Sequence, residues 1–286
     1  MYAVTGATGQ LGRHVIDELL KIVPPDQVVA AVRDAAKGSD FAAKGVIVRE
    51  ADYERPETLC AALDGVARVL LISSDAVGVR ARQHQAVIDA TKAAGVELLA
   101  YTSMLHADAT PAKLAAEHKA TEDAIATSGL PAAILRNGWY IENHLMGLNQ
   151  ALEHGAMVGA AGDGRFSAAA RADYAAAAAI VLTAKDQAGK VYELAGDRPY
   201  TLSEFAAELS CQAGRPVSYH NLSEEEYKGA LLAAGLPEPL AAALADEDHV
   251  SQSDTLLDDG QVLSKLIGRP TTLMPDVIAK ALQAAI

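Results

Sequence analysis

Three glycines near the start of the chain have the spacing of a turn that binds a pyrophosphate. Gly6, Gly9 and Gly12 follow the apolar residues Ala3 and Val4. Glycine permits a tight turn, a close approach of the backbone to phosphate, and close packing of a helix on a strand. The N–H groups and dipole of the following helix favour a bound anion. The pattern predicts a dinucleotide-binding βα turn; the alternative is that the glycines only build a sharp connection.

The end of the second predicted strand indicates which dinucleotide is bound. Residues 28–32 are apolar, and Arg33 follows where an NAD-specific protein usually carries an acidic residue for the ribose hydroxyls. A guanidinium suits a 2′-phosphate, so we expect NADPH. Two alternatives stay open: Arg33 is only a solvated arginine, or a shift in register brings Asp34 to the ribose.

The hydrophobic pattern alternates between strands and helices and predicts an α/β fold, a doubly wound parallel Rossmann sheet with a smaller C-terminal α/β lobe. Further strands are predicted at 46–48, 69–72, 97–101 and 132–136, and helices at 56–63, 79–94 and 111–127. Ligands of such sheets bind beyond the carboxyl ends of the strands. We therefore expect the candidate residues to lie along that edge.

Polar residues follow several of these strands. Ser73, Ser74 and Asp75 are expected to face the ribose and the phosphate bridge, or else to cap the next helix. Thr102 and Ser103 follow the next strand along the chain. Asp52 either contacts adenine or is only a loop carboxylate.

Residues 136–144 form the segment richest in chemical groups. Trp139 and Tyr140 offer aromatic surface to a planar ligand, and Asn137 and Asn143 can hydrogen-bond carbonyl groups. The alternative is an ordinary packing segment, with a helix over residues 139–148.

Charge and composition limit the partners. The net charge of −13 opposes nonspecific binding to nucleic acid, and no apolar run is long enough for a membrane anchor. A strand that begins at residue 2 predicts no secretory signal, and Cys60 and Cys211 have no partner spacing for a metal, so we expect a cytoplasmic protein with reduced thiols.

We assign residues 1–150 to an NADP-binding Rossmann domain, with segments near 168–197 returning to it, and residues 151–286 mainly to a smaller substrate-binding lobe.

Thr201 with Glu204, and Ser223 with Glu226, have the spacing of capping boxes. Residues 236–260, with several prolines and many carboxylates, are predicted to form a mobile rim over the substrate.

Several motifs together resemble the NmrA-like atypical short-chain dehydrogenases, and most closely their bacterial NADPH-dependent quinone reductases. They are residues 5–12, 135–140, 160–164, 171–175 and 192–197. The resemblance implies reduction of quinones by NADPH without flavin or metal. By motif position, it also implies cofactor contacts from Gly6, Thr8, Gly9, Gln10, Leu11, Arg33, Ser73, Ser74, Asp75, Asn137, Gly138, Trp139, Tyr140, Ile141, Glu142 and Arg171.

One departure from the wider superfamily bears on mechanism. No tyrosine has a lysine four residues later, and Ala115 and Lys119 stand where that proton-donating pair is expected. Lys119 is either a solvated residue or a cofactor ligand, and His118 and Glu122 are predicted to form a surface pair. A quinone tolerates the missing donor because its hydroquinone anion is well stabilised. We expect Asn143 and Tyr140, or His144, to orient the quinone oxygen.

Two other functions remain open. The missing pair also fits an NADP(H)-binding redox sensor without catalysis, and the same architecture can carry an isomerase or a reductase of another carbonyl or unsaturated compound. A homodimer is possible in each case.

Overall fold

The computed structural model describes residues 1–284, which divide into two units. The first comprises Met1–Ala107, Glu117–Asn137 and Arg171–Glu193. The second comprises Asp108–Ala116, Gly138–Ala170 and the described residues from Leu194 onward. Each unit is therefore built from several separate stretches of the chain.

The first unit contains a seven-stranded parallel sheet in the order β3-β2-β1-β4-β5-β6-β8. The predicted doubly wound α/β class is confirmed. The second unit contains β7 and β9, which pair in parallel. The strands are β1 (Tyr2–Thr5), β2 (Val28–Val32), β3 (Ile47–Glu50), β4 (Arg68–Leu71), β5 (Leu98–Met104), β6 (Ala132–Asn137), β7 (Ala156–Gly159), β8 (Val191–Leu194) and β9 (Ser218–Asn221).

Twelve α-helices occur within residues 1–284. They are α1 (Gln10–Leu19), α2 (Ser39–Ala43), α3 (Pro56–Ala62), α4 (Arg80–Ala93), α5 (Lys113–Ser128), α6 (Leu148–His154), α7 (Arg171–Thr183), α8 (Leu202–Ala213), α9 (Glu224–Ala233), α10 (Glu238–Ser251), α11 (Val262–Ile267) and α12 (Met274–Ala284). Short 3-10 helices cover Pro25–Gln27, Ala35–Gly38 and Ile141–Leu145. In this part of the chain, no helix has both the length and the apolar character of a membrane span.

Burial on both faces explains the composition of the central strands. Every residue of β2 is buried, as expected for an apolar strand covered by helices on each side. Helix α7 packs on α1 and on the sheet, and its run of small alanines permits that close approach. The order of the strands then brings the carboxyl ends of β1, β2, β4, β5 and β6 to one edge.

The second unit confirms both capping boxes. Thr201 accepts a hydrogen bond from the backbone N–H of Glu204, and Ser223 accepts one from that of Glu226. In both cases the glutamate side chain also accepts from the backbone N–H of the cap residue. These reciprocal bonds satisfy donors that the first turn of a helix leaves without partners.

Within residues 236–260, the segment predicted to form a mobile rim over the substrate, residues 238–251 form helix α10. Three of its carboxylates, those of Asp246, Glu247 and Asp248, are buried inside the unit, whereas Glu238 is exposed. Asp246 accepts a hydrogen bond from the backbone N–H of Lys113, and Asp248 accepts one from that of Ala160. Specific backbone donors therefore hold two of the acidic residues of this segment in place.

Glu247 is the least favourably placed of these acids. The residue is 1% exposed, and neither carboxylate oxygen has a hydrogen-bond partner in the described chain. Burial, together with Asp246 and Asp248, raises its pKa to about 8. Glu247 is therefore largely protonated at neutral pH.

Replacing Glu247 by glutamine should remove a pH dependence of stability. The folded-state pKa lies above the unfolded value, so the native chain binds the extra proton and loses stability as pH rises toward 8. Between pH 6 and 8, we expect the wild type to lose about 1 kcal/mol or more of unfolding free energy relative to Glu247→Gln. Urea unfolding at several pH values measures this difference.

The control is Glu225→Gln, which changes an exposed residue in the first turn of α9. Its unfolding free energy should follow that of the wild type across the same pH range. If the unfolding free energies of Glu247→Gln and the wild type differed by the same amount at every pH from 6 to 8, the assignment of a raised pKa to Glu247 would be contradicted.

Candidate functional site

The glycine turn after β1 has the geometry that a pyrophosphate requires. Gly6 has a φ of +60°, and its carbonyl accepts a hydrogen bond of 2.9 Å from the N–H of Gly9. A Cβ on Gly12 would lie 2.7 Å from Cα of Ala7 and would also overlap the carbonyl of Gly6. Only glycine therefore allows α1 to begin so close to the turn.

The start of α1 is open to an anion. Gly9 is the N-cap, so no side chain caps the helix, and the first turn carries no acidic residue. Gly6, Gly9 and Gln10 are exposed, Thr8 is half-buried, and Leu11 is buried beneath them. The N–H groups of a helix that starts in this way favour a phosphate, so the turn fits the predicted dinucleotide.

Arg33 lies beside this turn in the sheet order, directly after β2, and it is exposed. The competing carboxylate is engaged locally, because Asp34 accepts a hydrogen bond of 3.0 Å from the N–H of Ala36 and caps the following 3-10 helix. Asp52 is similarly turned to its own loop, where it accepts from the N–H of Glu54. The register therefore leaves Arg33 as the charged group at the end of β2.

Ser73, Ser74 and Asp75 form the loop after β4. They do not cap α4, whose N-cap is Val79 and has no side-chain cap. Instead, the hydroxyl of Ser74 accepts from the N–H of Ala76 and donates to the side chain of Gln83. The capping alternative is therefore wrong, and the side chain of Ser74 stabilises the loop itself.

The inner face of α5 carries a buried polar network. His118 and Glu122 are 6% and 9% exposed, so the predicted surface pair was wrong. His118 bonds Arg80 and Tyr101 at 3.1 and 2.9 Å, whereas Glu122 accepts from Arg136. The helical spacing was right, but the pair faces the sheet, where each member has a different partner.

Ser103 is also part of this network. Its hydroxyl donates to Glu122 at 2.6 Å, and Arg136 joins Glu122 to Glu193 with a second ion pair of 2.8 Å. Lys119 points away from the network and pairs with Asp123 on the surface of α5. The serine hydroxyl is therefore committed to a structural carboxylate, and the solvated interpretation of Lys119 is the one that its contacts support.

In the second unit, the segment after β6 is pinned to the strand-like residues before α7. Ala169 donates to the carbonyl of Trp139 and accepts from Ile141, each bond being 3.1 Å. Asn143 then lies in the 3-10 helix Ile141–Leu145, where its N–H donates to the carbonyl of Tyr140. The segment is therefore a short 3-10 helix flanked by extended backbone, and no helix spans 139–148.

The side chain of His144 lies inside an aromatic cluster. Its ring is edge-on to Phe166 and Phe205 at 5.0 and 5.4 Å, and Tyr200 lies at 5.9 Å. Burial lowers the pKa of His144 to about 3, so the ring is neutral. This packing supports a structural role for His144 and leaves Asn143 and Tyr140 as the polar candidates of the segment.

Both Asn137 and Arg171 lie at element boundaries. Asn137 ends β6 in the first unit, and its carbonyl accepts from the N–H of Leu105. Arg171 is the first residue of α7. Within the first unit, the sheet brings together the glycine turn, Arg33, the loop 73–75 and Asn137, because each follows or ends a strand at the same edge.

A comparison with family models matches the NmrA-like family over residues 2–274. The chain belongs to the NmrA-like family. It is 54% identical over 279 residues to quinone oxidoreductase 2 of Escherichia coli (strain K12), with 98% of each chain covered. This membership confirms the family that the motifs predicted.

Two solved structures have the same fold over almost their whole length. The E. coli NADPH-dependent quinone oxidoreductase complexed with NADPH has a TM-score of 0.95 at 53% identity, covering 99% of this chain and 100% of that one. The Citrobacter sp. triphenylmethane reductase complexed with NADP(H) has a TM-score of 0.93 at 39% identity, covering 98% and 100%. Both relatives therefore combine this fold with a nicotinamide cofactor.

Sequence reasoning missed the support beneath the loop 73–75. Thr102 and His84 accept hydrogen bonds from its backbone, and Tyr101 packs beside His84. A single histidine within a helical pattern carries no signal for such a contact. The partners belong to different elements and come together only when the sheet forms.

Gly12→Ala should abolish tight cofactor binding, because the new methyl group overlaps the turn after β1. We expect the Kd for NADPH to rise at least about tenfold, the effect of losing roughly 1.4 kcal/mol of binding free energy. Titration of cofactor fluorescence measures it.

Gly229→Ala is the matched control, since Gly229 lies in α9 with open space at its Cβ position. That substitution should leave NADPH affinity unchanged and stabilise the helix by up to about 1 kcal/mol. Equal NADPH affinity in Gly12→Ala and Gly229→Ala would exclude the glycine turn as the pyrophosphate site.

Proposed function

We propose that this chain reduces quinones with NADPH by direct hydride transfer, without flavin or metal. The observation that carries the proposal is the exposed arginine at the end of β2 beside an uncapped glycine turn, in a chain 54% identical to a quinone oxidoreductase. The turn provides a binding site for the pyrophosphate of the cofactor, and the arginine provides one for its 2′-phosphate.

The residues proposed to hold NADPH follow from their places at the strand ends. The N–H groups around Gly9 bind the pyrophosphate, and Arg33 binds the 2′-phosphate with its planar guanidinium. The loop 73–75 faces the ribose and the phosphate bridge. The remaining proposed contacts are Asn137, Gly138, Trp139, Tyr140, Ile141, Glu142 and Arg171.

NADPH, when bound, supplies the hydride from its nicotinamide ring. The protein's part is to orient the acceptor and to exclude water around it. We assign the orientation of the quinone oxygen to Asn143, through its side-chain amide, and to Tyr140, through its hydroxyl. The two residues lie at either end of one turn, because the N–H of Asn143 donates to the carbonyl of Tyr140.

The polar network on α5 supports an acceptor that needs no dedicated proton donor. Ala115 stands where the superfamily tyrosine is expected, and Ser103 donates to Glu122. An alkoxide formed by reduction of a simple carbonyl would lack the tyrosine that usually donates a proton to it. A hydroquinone anion is far less basic, so water or a hydrogen-bond donor such as Tyr140 can complete its protonation.

A second candidate is the reduction of another extended, conjugated acceptor. The observation that favours it is the likeness to a triphenylmethane reductase at 39% identity over 98% of this chain. Such dyes also accept hydride into a delocalised system. A panel of acceptors separates this function from quinone reduction, and tight NADPH binding without turnover on any acceptor would favour the redox sensor.

We also propose a cytoplasmic homodimer in which residues 1–150 supply most of the cofactor contacts and 151–286 most of the substrate contacts other than those assigned to Tyr140 and Asn143. The excess of acidic over basic residues, 37 against 24, is compatible with a small-molecule partner and opposes nonspecific binding to nucleic acid. Sedimentation of the purified chain tests the dimer.

Purified protein should oxidise NADPH in the presence of a simple benzoquinone or naphthoquinone and should prefer NADPH to NADH. Arg33→Ala should raise the KM for NADPH about 10- to 100-fold, because a charged hydrogen bond contributes about 1.5–3 kcal/mol, while the KM for NADH changes little. Absorbance at the NADPH band measures both rates. Equal losses with the two cofactors would remove Arg33 from the 2′-phosphate site.

Asn143→Ala should lower kcat with quinone about tenfold or more while the Kd for NADPH stays within twofold, because the amide is assigned to the acceptor. Asn149→Ala, an exposed change in α6, should alter neither quantity. Steady-state kinetics and a separate binding titration give the two values. Unchanged turnover in Asn143→Ala would exclude this residue from orienting the quinone.

A further inference from the structure

The backbone of the loop after β4 is held from beneath by side chains. The N–H of Ser73 donates to the hydroxyl of Thr102 on β5, and the N–H of Ser74 donates to Nε2 of His84 on α4, each at 2.9 Å. Ser73 and Ser74 follow the end of β4, but their N–H groups bind side-chain acceptors rather than the backbone of a neighbouring strand. The conformation of the loop therefore depends on those acceptors.

The contacts determine the tautomer of His84. A backbone N–H can only donate, so Nε2 of His84 accepts, and the ring proton resides on Nδ1. Nδ1 lies 2.9 Å from the hydroxyl of Thr121, which in turn donates to the carbonyl of Glu117 at 3.0 Å. The donor and the acceptor are therefore determined in all three hydrogen bonds: Ser74 to His84, His84 to Thr121, and Thr121 to the carbonyl of Glu117.

Burial keeps the imidazole neutral. His84 is fully buried, and burial, followed by the charge of Arg80, lowers its pKa to about 4. A protonated ring would present an N–H to Ser74 in place of the lone pair. The low pKa therefore preserves the acceptor at neutral pH.

A second layer holds the ring in place. The ring of Tyr101 is edge-on to His84 at 5.5 Å, and its hydroxyl is 2.9 Å from Nδ1 of His118. Nε2 of His118 accepts from the buried guanidinium of Arg80 at 3.1 Å, so its Nδ1 carries the proton and donates to the tyrosine. His84 is therefore clamped between its hydrogen bonds and a fixed aromatic ring.

We propose that His84 is a positioning residue for the cofactor, acting through the backbone of Ser74 on the loop that faces the ribose and the phosphate bridge. The inference rests on the cofactor assignment of residues 73–75 made above. His84 itself does not touch the cofactor. Its Nε2 is the acceptor that fixes the loop before NADPH arrives, so less ordering is required on binding.

The test compares His84→Phe with His84→Gln. Phenylalanine keeps a ring beside Tyr101 but removes the acceptor, whereas the glutamine side chain can place a carbonyl oxygen near the position of Nε2. We expect the Kd for NADPH to rise tenfold or more in His84→Phe and to stay within threefold of the wild type in His84→Gln. The KM for NADPH should follow the Kd, and kcat at saturating NADPH should change less than threefold in both.

Thr91→Val is the matched control on the same helix. Thr91 is fully buried, and its hydroxyl has no hydrogen-bond partner in the described residues. This change removes a buried polar group from α4 without touching the loop, so the Kd for NADPH should remain within twofold of the wild type. Thermal unfolding of all three variants separates lost affinity from lost stability.

Two results would overturn the role of His84. One is NADPH binding by His84→Phe within twofold of the wild type. The other is an equal loss of affinity in His84→Gln and His84→Phe, which would mean that the acceptor is not what matters. Failure of the proposed function is distinguishable, because absent quinone turnover with intact NADPH binding leaves this comparison valid, whereas absent NADPH binding by the unaltered chain overturns both.

Discussion

The close approach of helix α1 to the turn after β1 is the constraint on which the rest of the candidate site depends. Gly12 has no room for a Cβ, and Gly6 adopts a left-handed conformation that other residues rarely adopt. Together they allow the helix to begin immediately beyond the strand, with its N–H groups directed to the edge of the sheet. A Cβ at Gly12 would overlap the turn, and a residue other than glycine at position 6 would be strained in the left-handed conformation.

The parallel sheet extends this local geometry across the first unit. Because β2, β1, β4, β5 and β6 are neighbours with the same direction, the residues after them share the edge on which α1 begins. Arg33 and the loop 73–75 need no motif of their own to lie at the edge proposed for the cofactor. Their positions follow from strand order and from the rule that parallel sheets bind ligands at carboxyl ends.

Beneath this edge, α4 and α5 cover the sheet with a layer of buried polar groups. Arg80 and Arg136 lie there with Glu117, Glu122 and two neutral histidines, each with specific partners. Buried charges of this kind contribute little net stability, but removing one partner leaves the other uncompensated. The layer therefore holds α5 and the loop 73–75 in one arrangement, and it engages the hydroxyl of Ser103, which donates to Glu122.

Local patterns in the amino-acid sequence determined much of this protein. The glycine spacing, the apolar strands and the two capping boxes specify their structures through interactions within a few residues, so β2 and both boxes were predicted to the residue. The position of Arg33 directly after β2 was also predicted, because the continuous apolar run of a buried strand ends there. Only the tertiary structure decided which polar residues lie inside. His118, Glu122, Asp246 and Asp248 are of residue types that are usually solvated. They are buried here because folding brings partners from distant segments to them, and a buried polar or charged group is costly without such a partner.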